Sequence, residues 1–599
     1  MFHWNNDELN SEQERAIREE GNILLIACPG SGKTRTLTYK IAHELSKIDS
    51  EKKFIVAITY TNNAADEIKE RIETLGVDTK QLWIGTIHSF CLEWILRPYS
   101  LYLEELKNGF RVINSHDTEE LLSELCVPYR YPRISYWHCE RTAIPGGYNL
   151  RNVNDNIRAN VEAILEEYHS VLKQNNQIDF EQILFYSNKL LIENPLICKI
   201  LSNLFAYILI DEYQDTKEIQ YHIIASIIKA GAGDTKFFIV GDPNQSIYNS
   251  LGGFPMSKDE LEGHLGLSLE EHSLESNYRS SSKIIDYFEY FKTYPNAILS
   301  VGKDKDYPSS ISFNTVIEWE NIIEELVRLI LYNVEDKGIS PEEICIVAPQ
   351  WIHLAGITRE LMVRLPNMNF DGPGMAPFSR DIENFWYKLS RIILTEPSPN
   401  LYLRRLRWSD EIIKDLHHAH VDVSSINKKK FLKICNSVNI NEDDGIEYLK
   451  KVFEQICLEL RIDLEAHIGL KEHYHSFFES ANKRIEKLRN EGNEFIGTTE
   501  NFKKVFKQRN GITISSIHNI KGTEYDTMIG FGLLQGYVPH SGDNNGEDSA
   551  KKLLYVLCSR AKKNLHLISG RGRFNNWNPR REYQPTVLLS SYDYPYDEI

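Results

Sequence analysis

Lys33 and Thr34 close a glycine-rich turn, Cys28-Pro-Gly-Ser-Gly-Lys-Thr34, that follows directly on the apolar run Ile23-Leu-Leu-Ile-Ala27. Residues of these types in this order suit a nucleoside triphosphate. Gly30 and Gly32, on either side of Ser31, let backbone N–H groups crowd round phosphate oxygens where a Cβ would obstruct. A helix expected from about Lys33 to Leu45 points its positive N-terminal end at the same anion. Lys33 would reach the β- and γ-phosphates, and the Thr34 hydroxyl would bind Mg²⁺. The strict pattern G-x-x-x-x-G-K-[ST] has Ala27 at its first position.

A second chemical feature is Ile208-Leu-Ile-Asp-Glu-Tyr-Gln-Asp-Thr216, a buried strand that ends in two acids. Paired carboxylates at a strand end serve a Mg²⁺–nucleotide site: Asp211 would hold the ion, directly or through water, and Glu212 would orient or deprotonate the attacking water. In Val240-Gly-Asp-Pro-Asn-Gln-Ser-Ile-Tyr248, Gln245 could reach a γ-phosphate or its attacking water. In Leu274-Glu-Ser-Asn-Tyr-Arg-Ser-Ser281, Tyr278 offers an aromatic plane to a base and Arg279 a fixed cation to phosphate.

These residues need a scaffold that aligns strand ends, and the apolar runs supply one. Expected strands are Ile23–Ala27, Phe54–Thr59, Leu82–Thr86, Tyr207–Asp211, Lys236–Val240, Ile344–Ala348, Ile512–Ser516, Thr527–Phe531 and Leu565–Ser569. Helical stretches separate them, which indicates a mostly parallel α/β architecture, and the wide gaps indicate two such sheets with insertions. One insertion, from about Leu96 to Asn175, is polar and aromatic-rich, with an expected loop at Ile144-Pro-Gly-Gly-Tyr148 and a helix from about Val153 to Leu172. The other, from about Asn400 to Gln508, reads as almost wholly helical, as in Ile446–Leu460 and His473–Leu488.

The 599 residues allow several cores, and 42% hydrophobic with 26% charged residues describes an ordinary globular chain. Disorder and collagen-like classes are excluded. No apolar run approaches the roughly 18 residues of a membrane span, and the start lacks a signal-peptide pattern, so a cytoplasmic location is expected. The nine cysteines include no C-x-x-C pair and read as small core hydrophobes. A net charge of −17 argues against a wholly basic nucleic-acid coat but leaves room for a local basic groove.

In order along the chain, the segments Leu9-Asn-Ser-Glu-Gln13, the phosphate loop, Ile58-Thr-Tyr-Thr-Asn-Asn-Ala-Ala65, Gly85-Thr-Ile-His-Ser89, the Asp-Glu-Tyr-Gln-Asp box, Gly241–Tyr248, Asn277-Tyr-Arg279, Ser516–Glu524 and Tyr555–Ala561 resemble superfamily 1 DNA helicases of the UvrD/Rep/PcrA group. The resemblance covers the motor regions and fades across both insertions. It implies two RecA-like parallel-sheet motor domains, each interrupted by a mainly helical insertion: 1A over 1–95 and 176–272, 1B over 96–175, 2A over 273–399 and 509–599, and 2B over 400–508. Carried over by position, Gln13 would read the adenine edge, Tyr278 would stack on the base, Arg35 and Arg71 would contact the nucleotide, and Glu524 would meet the ribose. Arg279 and Arg560 would approach the γ-phosphate from the second motor domain. The strand contacts would be Tyr60, Thr61, Asn62, His88, Ser89, Tyr248, His518 and Lys521. The lesser alternatives are core packing for Tyr60 and Tyr248 and loop capping for His88 and His518.

The implied activity is ATP-dependent 3′→5′ movement on single-stranded DNA with Mg²⁺. Where the family carries an aromatic residue and Arg-Gly after Ser-Ile-Tyr, this chain has Asn249-Ser-Leu-Gly252; Ser559 replaces the usual Thr, and the preceding acidic run is reduced to Glu547-Asp548. The insertions, roughly 80 and 110 residues, are also compact against the usual domain size. These departures raise a second expectation: a nucleotide-dependent DNA sensor or regulatory subunit with little unwinding, similar to the helicase component of Gabija anti-phage defence, whose partner is an OLD-family nuclease. A housekeeping DNA-repair helicase shares the same chemistry.

Overall fold

The computed structural model describes residues 2–599 except 6, 152, 249–251, 351–353, 374–375, 379–380, 382–383, 491–493, 507–510, 544 and 576–577. Two six-stranded sheets organise it. In the first, all strands are parallel and run in the order Glu270–Leu274, Ile23–Ala27, Lys236–Gly241, Phe205–Asp211, Phe54–Thr59, Leu82–Thr86. The second is parallel throughout in the order Ile311–Asn314, Ala561–Ile568, Tyr525–Phe531, Ile344–Ala348, Ile512–Ser516, Phe370–Asp371.

Continuous apolar runs form these strands because helices cover both faces of a parallel sheet, so every side chain needs an apolar neighbour. Alternation then sends successive residues to different cores. Leu24, Ile26, Ile208 and Ile210 pack on one side of the first sheet, and Ile23, Leu25, Ala27 and Leu209 on the other. In the second sheet Cys345 and Val347 face one core while Ile344, Ile346 and Ala348 face the other. This is the expected two-sheet α/β architecture.

Three strands of the two large sheets escape the sequence pattern: Glu270–Leu274, Ile311–Asn314 and Phe370–Asp371. Each lies at a sheet edge, where one side needs no apolar cover. Glu-Glu-His-Ser-Leu therefore reads as loop although it pairs residue by residue with the phosphate-loop strand.

Between Leu96 and Asn175 the chain builds its own small core, with Val161, Ile164, Leu165, Tyr168 and Leu172 aligned along the helix Asp155–Gln174. The expected loop at Ile144–Tyr148 is the turn of a hairpin joining Arg141–Ile144 to Gly147–Leu150. Pro-Gly-Gly between two strands is a hairpin turn, so this insertion is helical with a hairpin rather than helical throughout. In the second insertion, helices Tyr402–His418, Lys428–Ser437, Gly445–Leu460 and Ile468–Asn490 share one core. The helix Phe385–Leu394 also belongs to that core, so the helical body begins before residue 400. It docks on the helix Asn62–Thr74 through Arg404–Glu70 at 2.7 Å and Arg407–Glu73 at 3.6 Å.

Candidate nucleotide site and strand-binding face

The phosphate loop leaves the end of Ile23–Ala27 and enters the helix Lys33–Leu45, as expected. Its two critical glycines adopt left-handed conformations, Gly30 at φ +69° and Gly32 at φ +79°. Space imposes a second requirement. A Cβ on Gly30 would lie 2.6 Å from Cβ of Arg279, and one on Gly32 would lie 2.6 Å from Nε2 of Gln13. Both approaches come from motif residues that clamp the loop from outside. Asn277 Nδ2 donates to the Pro29 carbonyl at 2.6 Å, and the Tyr278 N–H donates to the Gly30 carbonyl at 3.0 Å.

Gln13 is buried against the same loop. Its Oε1 accepts from the Asn10 N–H at 3.1 Å and its Nε2 donates to the Ser31 carbonyl at 2.9 Å. Tyr278 is 46% exposed beside it, its hydroxyl accepting from Asn10 Nδ2 at 2.8 Å. Arg35 is exposed on the first turn of the helix, with Nη1 donating to the Glu8 carbonyl at 3.2 Å. Arg71 pairs with Glu67 along its own helix and is brought into no described contact with the loop.

Lys33 Nζ pairs with the Glu212 carboxylate, joining the loop to the acidic strand end. Burial works against the charge on both, yet their mutual attraction wins: Lys33 is held above its ordinary value, with Asp211 adding to Glu212, and Glu212 is held well below the usual carboxylate range. Glu212 itself sits at φ +55°, an uncommon left-handed conformation for a side-chain-bearing residue, and Gln214 Nε2 donates to its second oxygen at 2.5 Å. Its neighbour Asp211 has the opposite environment. Burial raises its pKa, and burial likewise raises that of Asp242. Two buried carboxylates at strand ends, each raised by burial in spite of the nearby Lys33, fit a site for a divalent cation.

Across the cleft, Arg279 and Arg560 arrive from segments attached to the second sheet. Arg279 Nε donates to Glu524 at 2.7 Å and its Nη1 to the Ser559 carbonyl at 2.9 Å. Arg560 is almost fully buried; burial foremost, and repulsion from Arg279, lower its pKa to about 9. Its Nη2 donates to Oε1 of Gln245, whose Nε2 donates to Asp242 at 2.8 Å. The structure thus brings Lys33, Asp211, Glu212, Gln245, Arg279, Arg560 and Glu524 into one linked network.

On an adjoining face, Tyr60 and Tyr248 stack with ring centroids 5.3 Å apart and planes 23° from parallel. The Tyr248 hydroxyl donates to the His518 carbonyl at 2.9 Å, and Lys521 lies over the Tyr248 ring. The Lys521 ammonium is turned inward: it donates to both Asp215 oxygens at 2.8 and 2.6 Å and to the Gln245 carbonyl at 2.6 Å. Thr61 caps the helix Asn62–Thr74 through the Ala64 N–H, while the Ser89 hydroxyl lies 3.1 Å from that of Thr86. His88 packs edge-on against Phe180, and burial lowers it to about 4, so the ring is neutral. Tyr60, His88 and Tyr248 line a cavity of about 710 Å³ that reaches back to Asp211 and Glu212. The expected departure at Asn249, Ser250 and Leu251 lies outside the described residues.

Sequence reasoning did not anticipate Asp215 as the partner of Lys521, or Asn277 as the residue that grips the loop carbonyl. Both stand inside motifs already singled out, yet their partners lie hundreds of positions away. The nine cysteines are all free and buried, as expected. Among the described residues no helix is long and apolar enough to cross a membrane.

A glycine-rich phosphate loop, an acidic strand end and two arginines offered from a second parallel sheet define a two-domain P-loop nucleoside triphosphatase. Comparison with known proteins narrows the class. Residues 9–255 match the UvrD/REP helicase N-terminal domain, and residues 470–572 match the UvrD-like helicase C-terminal domain. The chain belongs to the UvrD/Rep-type superfamily 1 helicases. It is 27% identical to DNA helicase II of Rickettsia typhi over 94% of this chain and 92% of that protein. It is 33% identical to ATP-dependent DNA helicase Rep of Escherichia coli over 46% of this chain and 42% of that protein, and 30% identical to DNA helicase II of the same organism over 47% and 39%. The chain therefore spans about two fifths of the length of these last two relatives.

Proposed function

We propose that the chain is an ATP-dependent DNA translocase and helicase that moves 3′→5′ on single-stranded DNA. One observation carries the reading: the segment Asp242–Tyr248 touches both halves of the chemistry. Gln245 bonds Arg560 through its side chain and Lys521 through its carbonyl, and three residues later Tyr248 forms the aromatic face with Tyr60.

Lys33 and the loop N–H groups bind the β- and γ-phosphates, and Ser31, Gly30 and Gly32 keep that cradle open. Thr34 and Asp211 would hold the Mg²⁺ that accompanies ATP, which would offset the charge of the phosphates. Glu212, held ionised beside Lys33, orients the attacking water, and its carboxylate becomes basic enough to take the proton once ATP draws Lys33 onto the phosphates. Arg279 and Arg560 neutralise charge developing on the γ-phosphoryl group from the opposite side, an effect typically worth several orders of magnitude in rate. Tyr278 and Gln13 flank the base, Glu524 the ribose, and Arg35 supplies an outer cationic contact; Arg71, paired with Glu67, supplies none in this conformation.

A change at the γ-phosphate alters the Arg560–Gln245 bond, and the Gln245 backbone transmits it to Tyr248. The planes of Tyr60 and Tyr248 stack bases without sequence preference, and Thr61, Asn62, His88, Ser89 and His518 shape the adjacent phosphate path, while Lys521, turned inward onto Asp215, braces Tyr248 rather than meeting the strand. Alternate closing and opening of the two sheets then advances the strand. Reading the chain instead as a regulatory subunit with an OLD-family nuclease partner drew on its compact insertions. A relative named DNA helicase II aligns along nearly all of both chains, so compactness does not favour that reading.

Strand displacement on duplexes with a 3′ or a 5′ single-stranded tail tests the proposal. Unwinding of the 3′-tailed substrate alone, dependent on ATP, is expected; preference for the 5′ tail overturns the polarity, and displacement without ATP overturns the coupling.

A further inference from the structure

The insertion between the halves of the first motor carries an aromatic–basic turn that the motor chemistry leaves unused. Tyr129-Arg-Tyr-Pro-Arg-Ile-Ser-Tyr-Trp137 holds three tyrosines, a tryptophan and two arginines, and no acid, in a chain whose net charge is −17. Arg130 and Arg133 face each other across an antiparallel bridge, both exposed and neither in an ion pair among the described residues. Tyr131 between them is 98% exposed.

Trp137 is 56% exposed and rests on the Tyr136 ring, with centroids 4.4 Å apart. The Tyr136 hydroxyl is bonded to Glu119, and Ser135 and His138 close a capping box round the turn Tyr136–Cys139, so the ring pair is held in place. Tyr136 and Trp137 line the same cavity of about 710 Å³ as Tyr60, His88 and Tyr248. An exposed indole, braced from below and opening on the same cavity as a second aromatic stack, with two exposed arginines on the same segment, is the chemistry that receives unpaired bases on a phosphate backbone. Glu119 and Glu140 also line the cavity, Glu119 being engaged by Tyr136.

We propose that Trp137, backed by Tyr136, is a further stacking platform for single-stranded nucleic acid, and that Arg130 and Arg133 contact its phosphates. This rests on the reading of the chain as a single-strand motor, and its test separates the two. Binding of fluorescent oligo-dT to the full chain is measured by anisotropy at several salt concentrations for the parent, Trp137→Ala, Trp137→Phe, Arg130→Ala/Arg133→Ala and Tyr60→Ala. Each variant's thermal unfolding transition checks its folding.

Trp137→Ala is expected to weaken binding by roughly fivefold to a hundredfold, Trp137→Phe to restore most of the loss, and an abasic strand to bind parent and Trp137→Ala equally. The double arginine variant should flatten the slope of log affinity against log salt by about 1.4. Parent-like binding by Trp137→Ala together with weakened binding by Tyr60→Ala overturns this inference and leaves the motor reading standing. Parent-like binding by both overturns the two together. A Trp137→Ala variant that loses a co-purifying protein while binding oligo-dT like the parent shows a protein surface instead and also overturns the inference.

Discussion

Replacing Lys521 with methionine isolates the link between the two motors. The Lys521 side chain is 7% exposed and that of Asp215 fully buried, and all three ammonium donors are spent on Asp215 and the Gln245 carbonyl. Removing one member of such a pair costs about 3–5 kcal/mol, because a buried charge is left alone. Asp215 is already raised to about 6 by burial, with Lys521 pulling the other way. Without Lys521 it rises further and holds a proton at neutral pH.

The sign follows from linkage. A carboxyl whose folded value is raised binds its proton more tightly in the folded state, so stability falls as pH rises from the ordinary carboxylate value to the folded one. For the parent that fall ends near pH 6; for Lys521→Met it continues upward, at about 1.4 kcal/mol per pH unit. The deficit of the variant should therefore be about 2 kcal/mol larger at pH 8 than at pH 6.5, or roughly 4–8 °C in unfolding midpoint where a motor domain of about 200 residues melts as its own unit. Thermal melts of both proteins at the two pH values, at one scan rate, measure it. Asp215→Asn/Lys521→Met, which buries no lone charge, should recover much of the deficit. A deficit that does not change with pH, or a double variant no better than the single one, refutes the reasoning.

Two further substitutions probe the cleft. Gly30→Ala puts a Cβ into a left-handed conformation, at a cost of about 1–2 kcal/mol, and against Arg279, so steady-state ATPase should show kcat lowered at least about tenfold as that arginine is displaced. Arg560→Lys cannot reproduce the fork that bonds both Gln245 and the Val556 carbonyl; kcat should drop by roughly 10²–10³ while binding of a fluorescent ATP analogue stays within a few-fold of the parent.

The central strands were legible because burial on both faces demands unbroken apolar runs, as in Ile23–Ala27 and Ile344–Ala348. Glu270–Leu274 was not, since an edge strand can be polar and still pair through its backbone. The nucleotide loop and acidic strand end could be read from residue type and spacing alone. Of their arginine partners, Arg279 was legible as a fixed cation for phosphate, whereas Arg560 gained a role only through the ordered motif series. The Lys521–Asp215 pair was beyond reach for a different reason. Lys521 suggested an outward role on the strand-binding face and Asp215 carried no role of its own, and only the packing of the two motors turns the lysine inward. The hairpin at Arg141–Leu150 was readable in principle, because Pro-Gly-Gly marks its turn, but its short strands lack apolar alternation.

ATP hydrolysis by the parent, Lys33→Ala and Glu212→Gln, each with no DNA, with oligo-dT and with blunt duplex, bears most directly on the central claim. A hydrolysis rate stimulated by oligo-dT is predicted for the parent, with both variants reduced at least about a hundredfold and Glu212→Gln still able to bind ATP. A parent without activity on any single strand, or variants that hydrolyse ATP as fast as the parent, would contradict it.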